Sequence, residues 1–252
     1  MNFESATHRV ALVTGAARGL GEVIARKLHK EGFRVAITGT SADSVRPIAD
    51  SLDASGETVW SGSLDIRRKA DFEAVRDILA EKWGGTDILV NNAGRSQVAP
   101  LLEITPEEFS ANVEINLNGT FLGCQVFGPH FRDRGYGRII NIHSLAGHNG
   151  GTATGAHYAA SKGGVSTLTK VFAREFASSG VTVNAVSPGP LDLPVVYETV
   201  DPDKLDTIKA NIPVGRFGDA EFIADTVALL ASPGASSVTG ACWDINGGLY
   251  MR

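Results

Sequence analysis

Short apolar runs alternate with amphipathic stretches along the whole chain. Residues 8–14, His-Arg-Val-Ala-Leu-Val-Thr, end at Gly15. An apolar run of this length bounded by glycine suits a strand buried on both faces of a parallel sheet. Leu20, Val23, Ile24 and Leu28 then follow helical spacing within 19–31. The pattern repeats with a strand at 33–38 and a helix at 41–55, for which Ser41 or Asp43 is the candidate cap. A weaker strand at 58–64 precedes a helix at 67–83 that carries Phe72, Val75, Ile78 and Leu79 on one face. A strand at 87–91 leads to one long helical pattern over 106–134. Thr105 caps that helix, Pro106 takes its first position, and Glu107 and Glu108 occupy its first turn. A strand at 137–143, a loop rich in Gly, Thr and His at 144–156, and a helix from Tyr158 to about 179 come next. The chain closes with a strand at 181–187, a three-proline loop at 188–194, a short polar helix at 201–211, a helix at 220–231 and a strand at 241–245.

Such alternation predicts right-handed βαβ units and a parallel sheet with helices on both faces. Composition never shifts sharply and no repeat appears, so residues 1–252 are expected to form a single doubly wound α/β domain. A chain of 252 residues, 43% hydrophobic and 20% charged, can bury a sizeable core. Its net charge of -5 gives no electrostatic ground for nucleic acid or an anionic membrane as partner. No apolar run approaches the length of a bilayer span, and the first residues lack the plan of an export signal, so a soluble cytoplasmic protein is expected. Cys124 and Cys242 lie in apolar runs and read as buried thiols. The six histidines form no HxxxH or HxH motif, so no metal site is expected.

Four stretches carry candidate chemistry. Gly15, Ala17, Arg18, Gly19, Leu20 and Gly21 stand between the first strand and the first helix. Glycines there permit a tight turn and close backbone approach, and the following helix N-terminus suits the pyrophosphate of a dinucleotide. After the second strand comes Thr38-Gly39-Thr40-Ser41, with no acid before Asp43. A carboxylate there would bond the adenosine ribose and repel a 2′-phosphate. The hydroxyls of Thr40 and Ser41, with Arg18, suit a 2′-phosphate instead, which favours NADP(H) over NAD(H); the alternative is that they only start the next helix. Asn92, Ala93 and Gly94 end the fourth strand, at the sheet edge where ligands bind in such folds. Asp65 lies at the same edge, either meeting the adenine or capping a helix. Finally, Tyr158 and Lys162 are four apart and share a helix face. An ammonium beside a phenol is expected to ease its ionisation, which makes Tyr158 a candidate general acid or base.

Together, Thr14-Gly15 to Gly21, Asn91-Asn92-Ala93-Gly94, Asn116, Ser144, Tyr158 with Lys162, and Pro188-Gly189 resemble the short-chain dehydrogenase/reductase family over essentially the whole chain. The resemblance implies a Rossmann-type domain with a seven-stranded parallel sheet, a homotetramer (or dimer), and a small substrate lid at about 190–215. It also implies roles. Tyr158 is the general acid/base, Lys162 lowers its pKa and binds the nicotinamide ribose, Ser144 positions the substrate oxygen, and Asn116 holds a relay water. Ile66, Pro188, Gly189 and Leu191 join the cofactor set. Two positions depart from the pattern: the 144–158 segment is one residue longer, and Leu193 replaces the usual threonine, so the carboxamide contact falls to backbone near Leu191. Residues 95–98, 148–154 and 193–211 are expected to form the substrate pocket, with Gln97, His148, Thr152, Leu193 and Tyr197 as its distinctive side chains.

Within the family the chain looks most like 3-oxoacyl-(acyl carrier protein) reductases. Met1-Asn2-Phe3-Glu4, the end from Asn246 to Met251, and Thr38 with Thr40-Ser41 carry that likeness. The expected activity is reduction of a 3-oxoacyl thioester or small ketone with NADPH, or its reverse. Alternatives are an NAD-dependent alcohol, polyol or sterol dehydrogenase and, from another class, a non-catalytic dinucleotide sensor. Arg132, Arg134 and Arg138 are candidates for docking an acidic carrier protein, or simply complement a helix dipole.

Overall fold

Every residue of the first strand is buried, as the apolar run requires: β1 (Val10–Thr14) lies in the interior of a sheet covered on both sides. The computed structural model describes residues 8–151, 154–199 and 202–251; Met1, Asn2, Phe3, Glu4, Thr152 and Asp201 fall outside them. Six further strands, β2 (Arg34–Gly39), β3 (Val59–Ser63), β4 (Ile88–Asn91), β5 (Gly137–Ile142), β6 (Val181–Pro188) and β7 (Cys242–Ile245), complete one sheet of order 3-2-1-4-5-6-7. All pairings are parallel. The seven-stranded expectation holds.

The helices are α1 (Gly19–Lys30), α2 (Ala42–Leu52), α3 (Lys69–Trp83), α4 (Pro106–Val113), α5 (Gly119–Arg134), α6 (Ala146–Asn149), α7 (Ala156–Phe176), α8 (Pro194–Thr199), α9 (Pro202–Asn211) and α10 (Ala220–Ala231). Successive strand residues face opposite sides, and two cores result. Ala11, Val13, Val35, Ile37, Ile88 and Val90 meet α1, α2 and α10 on one side. Leu12, Ala36, Leu89, Ile139 and Val183 meet α3, α5 and α7 on the other. Among the described residues, no helix is long and apolar enough to cross a membrane.

Four departures from the sequence expectation bear on the site. The long 106–134 helix is broken by a π-helical turn, Glu114–Asn118, which separates α4 from α5. The 144–156 loop contains α6, and the proline loop runs into α8. The helix expected from Tyr158 begins two residues earlier, at Ala156, so Tyr158 sits in its first turn.

Candidate active site

The strand order changes direction between β1 and β4, and the crevice outside their carboxyl ends is where such a sheet binds ligands. A cleft of about 950 Å³ opens there. Its walls join the glycine loop at one end to Ser144, Tyr158 and Lys162 at the other.

The glycine loop has the form a dinucleotide needs. Gly15 adopts φ 65°, and a Cβ on it would stand 2.7 Å from the Ala93 Cα. A Cβ on Gly21 would collide with Asn92 Nδ2 and the Gly15 carbonyl. Asn92 explains the close fit: its Nδ2 donates to the carbonyls of Thr14 (2.9 Å) and Gly15 (3.1 Å). The Thr14 hydroxyl in turn accepts the Asn92 and Ala93 amides. Asn92 thus braces the loop as well as bordering the cleft. Bare backbone at the start of α1 is an anion site, so these residues fit a nicotinamide dinucleotide.

Ala17, Arg18, Leu20, Thr40, Asp65, Ile66, Gly94, Pro188, Gly189, Leu191 and Leu193 also line the cleft. Arg18 and Thr40 are exposed. Gly19 and Ser41 are not among the lining residues. Ser41 caps α2, its Oγ accepting from the Ser44 amide at 3.3 Å. The helix-start alternative is the one realised for that residue. Asp65 is held by Arg67 at 2.6 Å, and this guanidinium draws its pKa down to about 2. Arg67 also lines the cleft. Sequence reading missed it, because its only signal was a cation two positions after a candidate acid.

At the other end, Lys162 is buried and donates from Nζ to the Ile142 carbonyl at 2.7 Å. Burial lowers its pKa to about 8. Its Nζ lies 5.8 Å from the Tyr158 ring centroid. Tyr158 is shifted upward by burial, against a smaller opposing pull from its hydrogen bond to Ser144. This corrects the expectation of an easily ionised phenol. The neighbouring ammonium is turned to a backbone carbonyl and is itself weakened by the same dry surroundings. The Ser144 Oγ also accepts from the Ala146 amide at 3.2 Å, which ties it to α6.

Asn116 is fully buried in the π-turn. Its Oδ1 accepts from the Arg95 amide (2.9 Å), and its Nδ2 donates to the Arg95 carbonyl (3.0 Å) and to Asn112 Oδ1 (2.7 Å). The side chain therefore fixes the strand extension beyond Gly94. A Cβ on Gly94 would press on Asn116 Oδ1 at 2.6 Å and lie 3.7 Å from Lys162 Nζ, so these three residues meet at one point.

The distinctive pocket residues are not gathered as expected. Leu193 lines the cleft, as do Arg95 and Ser96, but Gln97, His148 and Tyr197 do not. Tyr197 is exposed and donates to Asp192 Oδ1 at 2.8 Å. His148 turns toward β7, with Nε2 2.9 Å from Asp244 Oδ1 and its ring stacked on Tyr250. Of the candidate docking arginines, Arg138 is buried and bonded to the carbonyls of Ser232, Gly137, Gly180 and Pro233. It is structural. Arg134 holds the Gly84 carbonyl and Asp87.

A family model described as enoyl-(acyl carrier protein) reductase matches residues 15–250. The chain belongs to the short-chain dehydrogenase/reductase family. It is an oxidoreductase acting between C=O and CH–OH. The 3-oxoacyl-(acyl-carrier-protein) reductase FabG of Vibrio cholerae is 41% identical over 251 residues, covering 100% of both chains. The enzyme of that name from Escherichia coli is 39% identical over 253 residues, again covering 100% of both. Among solved structures, an actinorhodin polyketide ketoreductase variant with NADPH superposes with a TM-score of 0.89 at 37% identity, over 97% of this chain and 98% of that one. A short chain dehydrogenase from Bacillus anthracis gives 0.88 at 29% identity, over 97% of each.

Proposed function

We propose that this family member reduces a ketone, of the 3-oxoacyl thioester or small-ketone class, using NADPH, with Tyr158 as proton donor. One observation carries the reading. The half-buried Tyr158, whose pKa is raised by desolvation, keeps its proton and is hydrogen-bonded to Ser144, at the end of a cleft that begins in a dinucleotide cradle. When bound, the nicotinamide supplies the hydride that forms the new C–H bond. Negative charge then grows on the carbonyl oxygen as its π bond breaks. The Ser144 and Tyr158 hydroxyls are donors preorganised for that oxygen. Tyr158 passes its phenolic proton to the alkoxide and becomes tyrosinate. Lys162, one turn along α7, offers a positive charge for this anion. Asn116 has its side chain committed to Arg95 and meets Gly94 beside Lys162, so it holds the cleft wall next to the lysine in position.

The NADPH preference rests on Arg18 and Thr40 in the cleft and on the absence of a cleft-lining acid directly after β2. The matched reductases and the NADPH-bound ketoreductase point the same way. We further infer a homotetramer working in the cytoplasm on a small-molecule substrate. Tyr158→Phe tests the assignment. Turnover of a 3-oxoacyl thioester, followed through NADPH absorbance, is expected to fall about 10²–10⁴-fold. Cofactor affinity, measured by fluorescence, should stay near the parent value. A variant that keeps parental turnover removes Tyr158 from the chemistry.

A further inference from the structure

Next to Ser144 in the chain, where α6 and β7 meet the end of β5, two histidines and a cysteine converge. We propose that His143, His148 and Cys242, with the carboxylate of Asp244 beside them, bind a tetrahedral divalent cation of the zinc type. One ring nitrogen of each histidine and the Cys242 Sγ lie within 4.8 Å of one another. Ligand atoms at about 2.0–2.3 Å from a tetrahedral zinc stand roughly 3.5 Å apart. His148 Nε2 and Cys242 Sγ are already 3.6 Å apart. Asp244 Oδ1 lies 2.9 Å from the same nitrogen, close enough to take the fourth position.

Three features favour a metal over a chance cluster. First, the ligand chemistry is soft: imidazole and thiolate select zinc-like ions over magnesium or calcium. Second, the charges balance. A thiolate and a carboxylate offset a divalent cation, which suits a site where His143 is 2% exposed and the His148 side chain 9%. Third, the ligands have outer support. His143 Nδ1 is 3.1 Å from the Ser187 hydroxyl, which assigns Nε2 to the metal. The His148 ring is stacked on Tyr250, with centroids 5.0 Å apart and planes at 6°. Cys242 and Asp244 are two apart on β7 and so face the same side of it. Of the three, only His143 also borders the cleft. The ion would tie β7 and α6 to the end of β5, one residue from Ser144.

The purified full chain, stripped with a chelator and dialysed, is titrated with zinc and separately with cobalt. One zinc per chain is expected, with a melting temperature that climbs with zinc concentration. Cobalt should give a thiolate charge-transfer band and the visible spectrum of a tetrahedral ion. Cys242→Ala should abolish the band and weaken zinc binding about 100-fold or more. Cys124→Ala should keep both, since that thiol lies apart among Asn91 and Asn141. His148→Gln serves in the same way if Cys242→Ala does not fold. Absence of the cobalt band in the parent chain, or zinc affinity unchanged in both ligand variants, overturns the proposal. None of these readouts depends on reductase activity.

Discussion

At the scale of single residues, the site turns on how desolvation treats one buried and one half-buried titratable group. Tyr158 is pushed up by burial and Lys162 is brought down to about 8 by the same cause. The tyrosine therefore rests as a donor, which is the form reduction uses. The lysine is an ammonium at neutral pH, held against its burial cost. An unfolded lysine titrates near 10.5, so below about pH 8 both states hold the proton and the folded state bears the full penalty. Between about 8 and 10.5 the folded chain releases its proton first, and stability rises with pH. At about 1.4 kcal/mol per pKa unit the penalty is on the order of 3 kcal/mol, from which about 1 is subtracted for the bond to Ile142. Lys162→Met is thus expected to lose turnover yet gain about 2 kcal/mol at pH 7. Urea unfolding from pH 7 to 10.5 should show that gain shrinking as pH rises. A Met variant less stable than the parent at pH 7, with no such trend, contradicts this account.

At the scale of elements, one turn decides which cofactor the cleft accepts. The β2–α2 turn exposes Thr40 to the cleft, while Ser41 is used up as the cap of α2. Thr40→Asp leaves that cap intact and places a carboxylate where a 2′-phosphate would lie. NADPH affinity should fall about tenfold or more, some 1.4 kcal/mol, with NADH affinity maintained. Unchanged NADPH binding by calorimetry would move the 2′-phosphate site elsewhere in the cleft. The strands and most helices were legible in the sequence because each is a strong apolar periodicity, and the glycine loop and the Tyr158–Lys162 pair because they are local. The π-turn was not legible. Its residues continue the helical pattern, and what inserts the extra residue is the three-dimensional demand that Asn116 reach Arg95. Leu193 lines the cleft as expected, while His148 and Tyr197 lie outside its walls for the same reason. His148 and Tyr197 were placed by distance along the chain, but partners from β7 and the proline loop, Asp244 and Asp192, turn them elsewhere. The His143, His148 and Cys242 cluster has no local spacing pattern because β7 brings its cysteine from nearly a hundred residues away.

At the scale of the whole molecule, both helical layers leave large apolar side chains uncovered. On the layer of α3, α5 and α7, Phe109 of α4 is 40% exposed and Val171 of α7 is 51% exposed. On the opposite layer, Phe222 of α10 is 57% exposed. Large apolar side chains left outward on both faces suit two separate isologous contacts. Two such contacts on perpendicular axes close a tetramer of dihedral symmetry. Sedimentation velocity at micromolar concentration should accordingly give four times the 26.5 kDa of one chain. Glutamate at Phe109 and Val171 together should cut the mass to half while leaving far-UV circular dichroism unchanged, because neither residue belongs to the two cores. Phe222→Glu should do the same through the other face, and combining the three should leave single chains. A parent protein that sediments as a monomer, or charged variants that keep the tetramer, would remove these helix faces from the assembly.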